Sequence, residues 1–156
     1  YDAEFGTPLR RLLEAADIPS EEVYAVLLGG AAGRFLNSSA IDMPLSFEGA
    51  KAYNATLGSG AVMVFSNRVE LTKVVTRLGK FFKDESCGQC VPCRIGTQRQ
   101  HEVLVQIGDS TPTQRQRDLL DDLSIVMSDA SICGLGHTAA SAVQSAIDQG
   151  LIWSET

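Results

Sequence analysis

The chain has 156 residues, of which 44% are hydrophobic and 21% charged, a composition typical of one ordinary folded domain or two small ones. Its net charge is −6, and no Lys/Arg cluster approaches the basic surface that binding a nucleic-acid backbone requires. There is no apolar run of the roughly 18 residues that a membrane span needs, and no signal-peptide pattern. We therefore expect a cytoplasmic protein, peripheral at most to a membrane complex, with no nucleic-acid partner and no direct membrane span.

The first part of the chain mixes helical and extended patterns. A helix is predicted from Thr7 to Ala16, with Thr7 as its N-cap. Extended segments are predicted at Val23–Leu28, Met43–Phe47 and Ala61–Phe65, with a loop through residues 33–39. Gly29–Gly33 follows the first strand but matches neither a dinucleotide fingerprint nor a Walker A loop, so a structural turn is favoured over a phosphate cradle. These elements predict a small α+β unit.

From Glu70 onward the apolar residues recur at intervals of three and four, which indicates helices. Four helices are predicted, over 71–82, 96–107, from 111 onward, and over 139–147. The boundary between the two patterns lies near Ser66–Arg68. The sequence thus predicts an α+β fold class with two domains: residues 1–68, and an all-α four-helix domain of residues 69–156 that carries every cysteine.

Three of the four cysteines lie in one short segment. Cys87, Cys90 and Cys93 follow a Cys-x-x-Cys-x-x-Cys spacing, and Cys133 lies between two predicted helices. A three-cysteine loop completed by one remote cysteine suits the four-thiolate ligand set of an iron–sulfur cube, and no cysteine remains for a second cluster. Soft iron prefers thiolates, which must be deprotonated to bind. We predict one [4Fe-4S] electron-transfer site held by these four residues.

Several neighbours of the cysteines suit such a site. Gly88, Gly134 and Gly136 would allow the backbone to approach the cluster without a Cβ atom in the way. Pro92 would stiffen the loop, and Arg94 would offset part of the negative charge of the cluster. Backbone N–H groups that turn toward the sulfurs would help to set the reduction potential.

Other interpretations of the cysteines remain open. Zinc on four cysteines is the strongest alternative, although structural zinc usually takes two separated Cys-x-x-Cys pairs. A disulfide with two free thiols fits a cytosolic setting poorly. A catalytic cysteine would need a nearby histidine, and His137 follows Cys133 by four residues, but an ordinary residue at a helix start is favoured there. A zinc-stapled binding module and a stand-alone ferredoxin-like carrier therefore stay as functional alternatives.

The motif resembles a known family of redox subunits. The matching cysteine pattern is Ser86-Cys87-Gly88-x-Cys90-x-Pro92-Cys93-Arg94-x-Gly96, followed by Cys133. It is similar to the NADH-binding flavoprotein subunit of respiratory complex I and to the homologous subunits of NAD-dependent formate dehydrogenases and NAD-reducing or bifurcating hydrogenases. Segments of the first domain, among them Asp42-x-Pro44-Leu45-x-Phe47 and Leu57-Gly58-Ser59-Gly60, resemble the soluble-ligand-binding β-grasp domain of that family. The pattern after Cys133 is closer to the formate dehydrogenase and hydrogenase branch.

The resemblance implies a function beyond this chain's own residues. Family members bind FMN and NAD(H) in a preceding domain whose glycine-rich signature is absent here, so the chain is expected to be the C-terminal part of such a subunit. By resemblance, Cys87, Cys90, Cys93 and Cys133 hold the [4Fe-4S] cluster that relays single electrons between FMN and the clusters of partner subunits. The implied partners are the FMN/NAD-binding domain of the same subunit and other iron–sulfur subunits of a multisubunit oxidoreductase.

Overall fold

The structure is a computed structural model, and it describes residues 2–153. The chain divides between Val69 and Glu70 into two units, which we call the first and the second unit. The division lies one residue beyond the predicted boundary between residues 68 and 69. The predicted α+β fold class is confirmed, because a small sheet with helices is followed by helices alone. No helix in residues 2–153 combines the length and the apolar composition that crossing a membrane requires.

A three-stranded antiparallel sheet organises the first unit. Its strands are β1 (Ala25–Leu28), β2 (Arg34–Asn37) and β3 (Val62–Phe65), in the order β2-β1-β3. Every residue of the central strand β1 is buried, which explains its continuous apolar sequence. The loop predicted through residues 33–39 is wrong in part, because residues 34–37 form β2. Only two of its four residues are buried, so the strand depends on pairing with β1 more than on its own pattern.

Two short helices flank this sheet, α1 (Leu9–Ala15) and α2 (Phe47–Ala52). The predicted cap of α1 is wrong, since Pro8 is its N-cap and makes no side-chain capping bond. Helix α2 was not predicted, because six residues are too few for a clear apolar period. The extended segment expected before it is reduced to one isolated bridge between Pro8 and Pro44.

The turn after β1 is structural in character. Gly29 and Gly30 have φ angles of +96° and +77°, which favour glycine. A Cβ atom at Gly33 would lie 1.9 Å from the carbonyl oxygen of Leu28. Backbone conformation and close packing therefore account for these glycines, in agreement with the interpretation favoured over a phosphate cradle.

The second unit is built from helices. They are α3 (Leu71–Glu85), α4 (Val91–Ile107), α5 (Gln114–Ala130), the short α6 (Gly134–Thr138) and α7 (Ser141–Asp148). Helix α4 packs against both α3 and α5, and α6 packs against α4 and α5. The four longer helices correspond to the four predicted ones. Helix α6 was not predicted, because only five residues separate Cys133 from the following turn.

Two glycines allow α4 to pack closely against its neighbours. A Cβ atom at Gly79 of α3 would lie 2.7 Å from Cδ1 of Leu104, and one at Gly96 of α4 would lie 2.5 Å from Cγ of Met127. The side chains of Leu104 and Met127 are fully buried as a result. Helix α4 is thereby fixed between α3 and α5, and its N-terminus lies in the cysteine segment.

The predicted start of α4 at Gly96 is wrong, because the helix begins at Val91. Pro92 lies in its first turn, where a proline costs no hydrogen bond. Consequently Pro92 does not stiffen a loop, as the sequence suggested, but starts a helix. Cys93 is therefore a helical residue, and only Cys87 and Cys90 lie in the connection between α3 and α4.

Candidate metal centre

The four cysteines lie at the ends of three helices of the second unit. Cys87 follows α3, Cys90 is the N-cap of α4, and Cys93 lies in the first turn of α4. Cys133 is the N-cap of α6, which packs against α4. The N-terminal end of a helix carries partial positive charge from its free N–H groups. Cys90, at the N-terminus of the long helix α4, thus stands where anionic sulfur is stabilised.

The cysteines differ in their exposure to solvent. Cys93 is buried, with 4% of its surface exposed, whereas Cys90 is half-buried. Cys87 and Cys133 are exposed. The candidate site is therefore buried at Cys93 and open to solvent at Cys87 and Cys133.

The other three cysteines lie close enough to Cys93 for their charges to affect its thiol. Burial raises the pKa of the Cys93 thiol, and a hydrogen bond with Ser86 opposes that rise. Negative charges on Cys90, Cys133 and Cys87 raise the same pKa further, which requires all three to lie near Cys93. Four thiolates that repel one another need a cation to become stable together.

The pKa of the Cys90 thiol is lowered, in contrast to that of Cys93. The backbone N–H of Ile132 lowers the pKa of its thiol, and burial opposes this. Ile132 immediately precedes Cys133, so the segment that carries the remote cysteine also supplies a donor to the sulfur of Cys90. The structure thus supports the expectation that backbone N–H groups turn toward sulfur.

Two serines of the site were not singled out from the sequence. The Oγ atom of Ser86 lies 3.4 Å from Sγ of Cys93. Ser131 is buried, and its hydroxyl has no nitrogen or oxygen partner within residues 2–153. Both serines flank the cysteine segments in the sequence. A serine near a cysteine is too common to indicate a role at the site from sequence alone.

Gly136 packs closely at the base of the site. A Cβ atom there would lie 2.2 Å from Oγ of Ser131 and 3.1 Å from Cβ of Cys93. At Gly134, by contrast, a Cβ atom would meet nothing within 4 Å. Gly88 has a φ angle of +76°, which favours glycine. The three glycines therefore differ, and only Gly136 packs closely, against Ser131 and Cys93.

The remaining predicted neighbours make backbone contacts. Nη1 of Arg94 donates a hydrogen bond of 2.9 Å to the carbonyl oxygen of Gly88, which ties α4 to the cysteine segment. Nε2 of His137 lies 2.7 Å from the carbonyl oxygen of Ser131. This contact gives His137 a role in holding the segment before Cys133. The expected position at a helix start is wrong, because His137 lies in the last turn of α6.

The donor set fits a four-thiolate cluster. All four cysteines are free thiols, so the disulfide alternative finds no support. Within residues 2–153, no three Cys, His, Asp or Glu side chains are grouped as ligands of a single metal ion. A cubane places each thiolate on a different iron atom and so takes ligands that are spread more widely than those of one zinc ion. Soft sulfur ligands, a buried base and inward-facing N–H groups are the surroundings that such a cluster requires.

Comparison with known proteins finds a matching family and similar sequences. Residues 73–149 match the NADH-ubiquinone oxidoreductase-F iron-sulfur binding region. The HndC subunit of the NADP-reducing hydrogenase of Solidesulfovibrio fructosivorans is 34% identical over 124 residues, which are 80% of this chain and 25% of that protein. The F subunit of NADH-quinone oxidoreductase from Mycobacterium tuberculosis (strain ATCC 25618 / H37Rv) is 33% identical over 149 residues, which are 94% of this chain and 34% of the relative.

A solved structure is also similar to this chain. The crystal structure of an NAD+-reducing [NiFe]-hydrogenase in the H2-reduced state matches with a TM-score of 0.81 and 33% identity. The match covers 92% of this chain and 24% of the hydrogenase chain. The chain therefore spans between about a quarter and a third of the length of these similar proteins.

Proposed function

The second unit belongs to the family of the NADH-ubiquinone oxidoreductase-F iron-sulfur binding region, and on this premise we propose that Cys87, Cys90, Cys93 and Cys133 bind one [4Fe-4S] cluster. The observation that carries the proposal is that α6, whose N-cap is Cys133, packs against α4, so that cysteines of two separate segments lie near the buried Cys93. When bound, such a cluster accepts and donates one electron at a time.

The protein residues would bind the cluster, orient it and set its surroundings. Cys93 would hold the buried corner, while Cys87 and Cys133 would hold the side open to solvent. The N-terminus of α4 would stabilise the negative charge of the assembly. An exposed side is where electrons could enter or leave, and a buried side limits access of water to the sulfurs.

The cluster would be one step in electron transfer through a larger enzyme. We infer that this chain is the electron-transfer portion of an NAD(H)-dependent flavin/iron–sulfur oxidoreductase. It would relay single electrons between FMN, bound together with NAD(H) by another domain of the subunit, and iron–sulfur clusters of partner subunits. Similarity to hydrogenase subunits supports a hydrogenase type of diaphorase subunit, and the formate dehydrogenase type rests on the sequence pattern after Cys133 alone. Four free thiols suit a reducing compartment such as the cytoplasm.

A respiratory role is the second candidate. The relatives named as F subunits of NADH-quinone oxidoreductase include one that aligns with 94% of this chain. The cluster chemistry would be the same, and the two candidates differ in the final electron donor or acceptor. Copurification with native partners under anaerobic conditions distinguishes them, because a hydrogenase or dehydrogenase partner supports the first and a quinone-reducing complex supports the second.

Elemental analysis tests the proposed cluster. The chain is purified or reconstituted under anaerobic conditions, and iron, acid-labile sulfide and zinc are measured per chain. We expect about four iron and four sulfide per chain, with the brown colour of a cubane. One tightly held zinc and no iron would instead support the zinc-stapled module and contradict the proposal.

A further inference from the structure

Ser86 lies beside the most buried of the four sulfurs. It is the C-cap of α3, immediately before Cys87, and it is half-buried. Its Oγ atom lies 3.4 Å from Sγ of Cys93, within hydrogen-bonding distance for sulfur. The same oxygen accepts a hydrogen bond of 3.4 Å from the backbone N–H of Gly88.

The direction of the hydrogen bond between Ser86 and Cys93 follows from the chemistry of the two groups. The Ser86 oxygen already accepts from Gly88, and its single proton remains free to donate. A metal-bound cysteine is a thiolate and can only accept. In the contact itself either atom could be the donor, but a metal-bound sulfur leaves the Ser86 hydroxyl as the only donor of the pair.

The segment around Ser86 is itself held in place. Nη1 of Arg94 donates to the carbonyl oxygen of Gly88 at 2.9 Å, and the backbone N–H of Gly88 donates to Oγ of Ser86 at 3.4 Å. Arg94 follows Cys93 directly in α4. The serine is thereby fixed relative to the sulfur that it contacts, so the hydroxyl does not have to be ordered when an electron arrives.

We propose that Ser86 donates a hydrogen bond to the metal-bound sulfur of Cys93 and thereby raises the reduction potential of the cluster, an inference that rests on the proposed function. Reduction adds one electron from an external reductant and increases the negative charge on the sulfurs. A fixed donor stabilises the reduced form more than the oxidised form. No bond to Ser86 forms or breaks, and it keeps its proton.

Burial makes this one contact important. Cys93 is 4% exposed, whereas Cys87 and Cys133 are exposed to water, which can donate to their sulfurs in any case. Hydrogen bonds are electrostatically stronger where water is excluded. A donor at Cys93 therefore changes the potential more than an equivalent donor at the exposed cysteines.

The test compares Ser86→Val with Ser86→Thr, because their side chains have the same shape and differ only in the hydroxyl. EPR-monitored titrations with dithionite give the midpoint potential of the cluster, and iron analysis confirms that each variant contains the cluster. We expect Ser86→Val to weaken the reduction equilibrium about tenfold, a shift of about 59 mV to lower potential for one electron. Ser86→Thr is expected to keep the parent potential. The control is Ser128→Ala, whose hydroxyl bonds within α5, and it should leave the potential unchanged.

Three results would overturn the proposal. The first is equal potentials for Ser86→Val and Ser86→Thr, and the second is a shift to higher potential in Ser86→Val. The third is loss of iron in Ser86→Val and Ser86→Ala with retention in Ser86→Thr, since Ser86 would then serve structure and not potential. If only Ser86→Val fails to bind iron, Ser86→Ala replaces it in the comparison of potentials. A parent chain without any iron–sulfur signal would instead contradict the proposed function, so the two failures are distinguishable.

Discussion

Gly136 shows how tightly the base of the candidate site is packed. Its Cα atom faces Ser131 and Cys93 with no room for a methyl group, because a Cβ atom would lie 2.2 Å and 3.1 Å from their atoms. Two residues away, Gly134 has open space at the same point. The two glycines therefore form a matched pair for substitution by alanine within one short helix.

We predict that Gly136→Ala destabilises the second unit by about 1–3 kcal/mol through overpacking and lowers retention of iron. Gly134→Ala should be nearly neutral, since its methyl group meets no other atom. Thermal unfolding and iron content of the two variants provide the measurement. Equal effects of the two substitutions would show that the close approach seen at Gly136 does not matter.

His101 predicts a dependence of stability on pH. It lies in α4 with its Nδ1 buried and without a partner in the described residues. Burial lowers its pKa, the positive charge of Lys83 lowers it further, and a hydrogen bond to Thr76 opposes this. The folded state therefore binds the proton less readily than the unfolded state. The contribution of neutral His101 to the free energy of unfolding is present above the unfolded pKa of about 6.5 and is lost as pH falls through the folded pKa.

Urea unfolding between pH 7.5 and 5.5 tests this prediction. The free energy of unfolding should decrease more in the parent chain than in His101→Gln over that range. Lys80 and Asp84 of α3 also act on His101, with opposite signs, and both are present in parent and variant alike. The prediction fails if the two proteins show the same pH dependence.

Residue identities at the centre of the site could be predicted from sequence, while their contacts could not. The spacing of Cys87, Cys90 and Cys93 indicated convergence without knowledge of the fold, because it depends on local chain geometry. The hydroxyl of Ser86 and the close approach at Gly136 arise from packing of α3, α4 and α6. Contacts between separate elements leave no periodic signal in the sequence.

At the scale of elements, long amphipathic helices were predictable and short elements were not. Helix α3 begins at Leu71 as expected, because its apolar residues repeat over fifteen positions. Helix α4 begins five residues earlier than the predicted start at Gly96, since Pro92 suggested a loop. The proline in fact suits a first turn, and the glycine is required by contact with Met127. Strand β2 and helix α2 depend on tertiary contacts, which explains why their four and six residues gave little signal.

Helix α5 offers a prediction about element stability. Thr113 and Gln116 form a capping box, in which Oγ1 of Thr113 accepts from the backbone of Gln116 at 3.3 Å and Oε1 of Gln116 accepts from the backbone of Thr113 at 2.9 Å. Thr113→Ala should destabilise the second unit by about 1 kcal/mol. Thr113→Ser keeps the capping oxygen and should cost much less. Chemical denaturation compares them, and similar losses in both would argue against the cap.

At the scale of the molecule, the chain divides between Val69 and Glu70, and every cysteine lies beyond that division. We predict that a fragment starting at Glu70 incorporates iron and sulfide, whereas a fragment ending at Val69 incorporates neither. The physical reason is that the helices that position the cysteines pack against one another within the second unit. Metal analysis of the two fragments checks this, and iron bound by the first fragment would contradict it.

The central claim is that cysteines from two segments bind one cluster. Reduced-state EPR of the anaerobically purified chain, compared with Cys90→Ser and Cys133→Ser, tests it most directly. We expect the parent to give the signal of one reduced cubane and each variant to lose most of it while circular dichroism shows the helices retained. A full iron–sulfur signal in Cys133→Ser would contradict the account, because the remote segment would then take no part in the site.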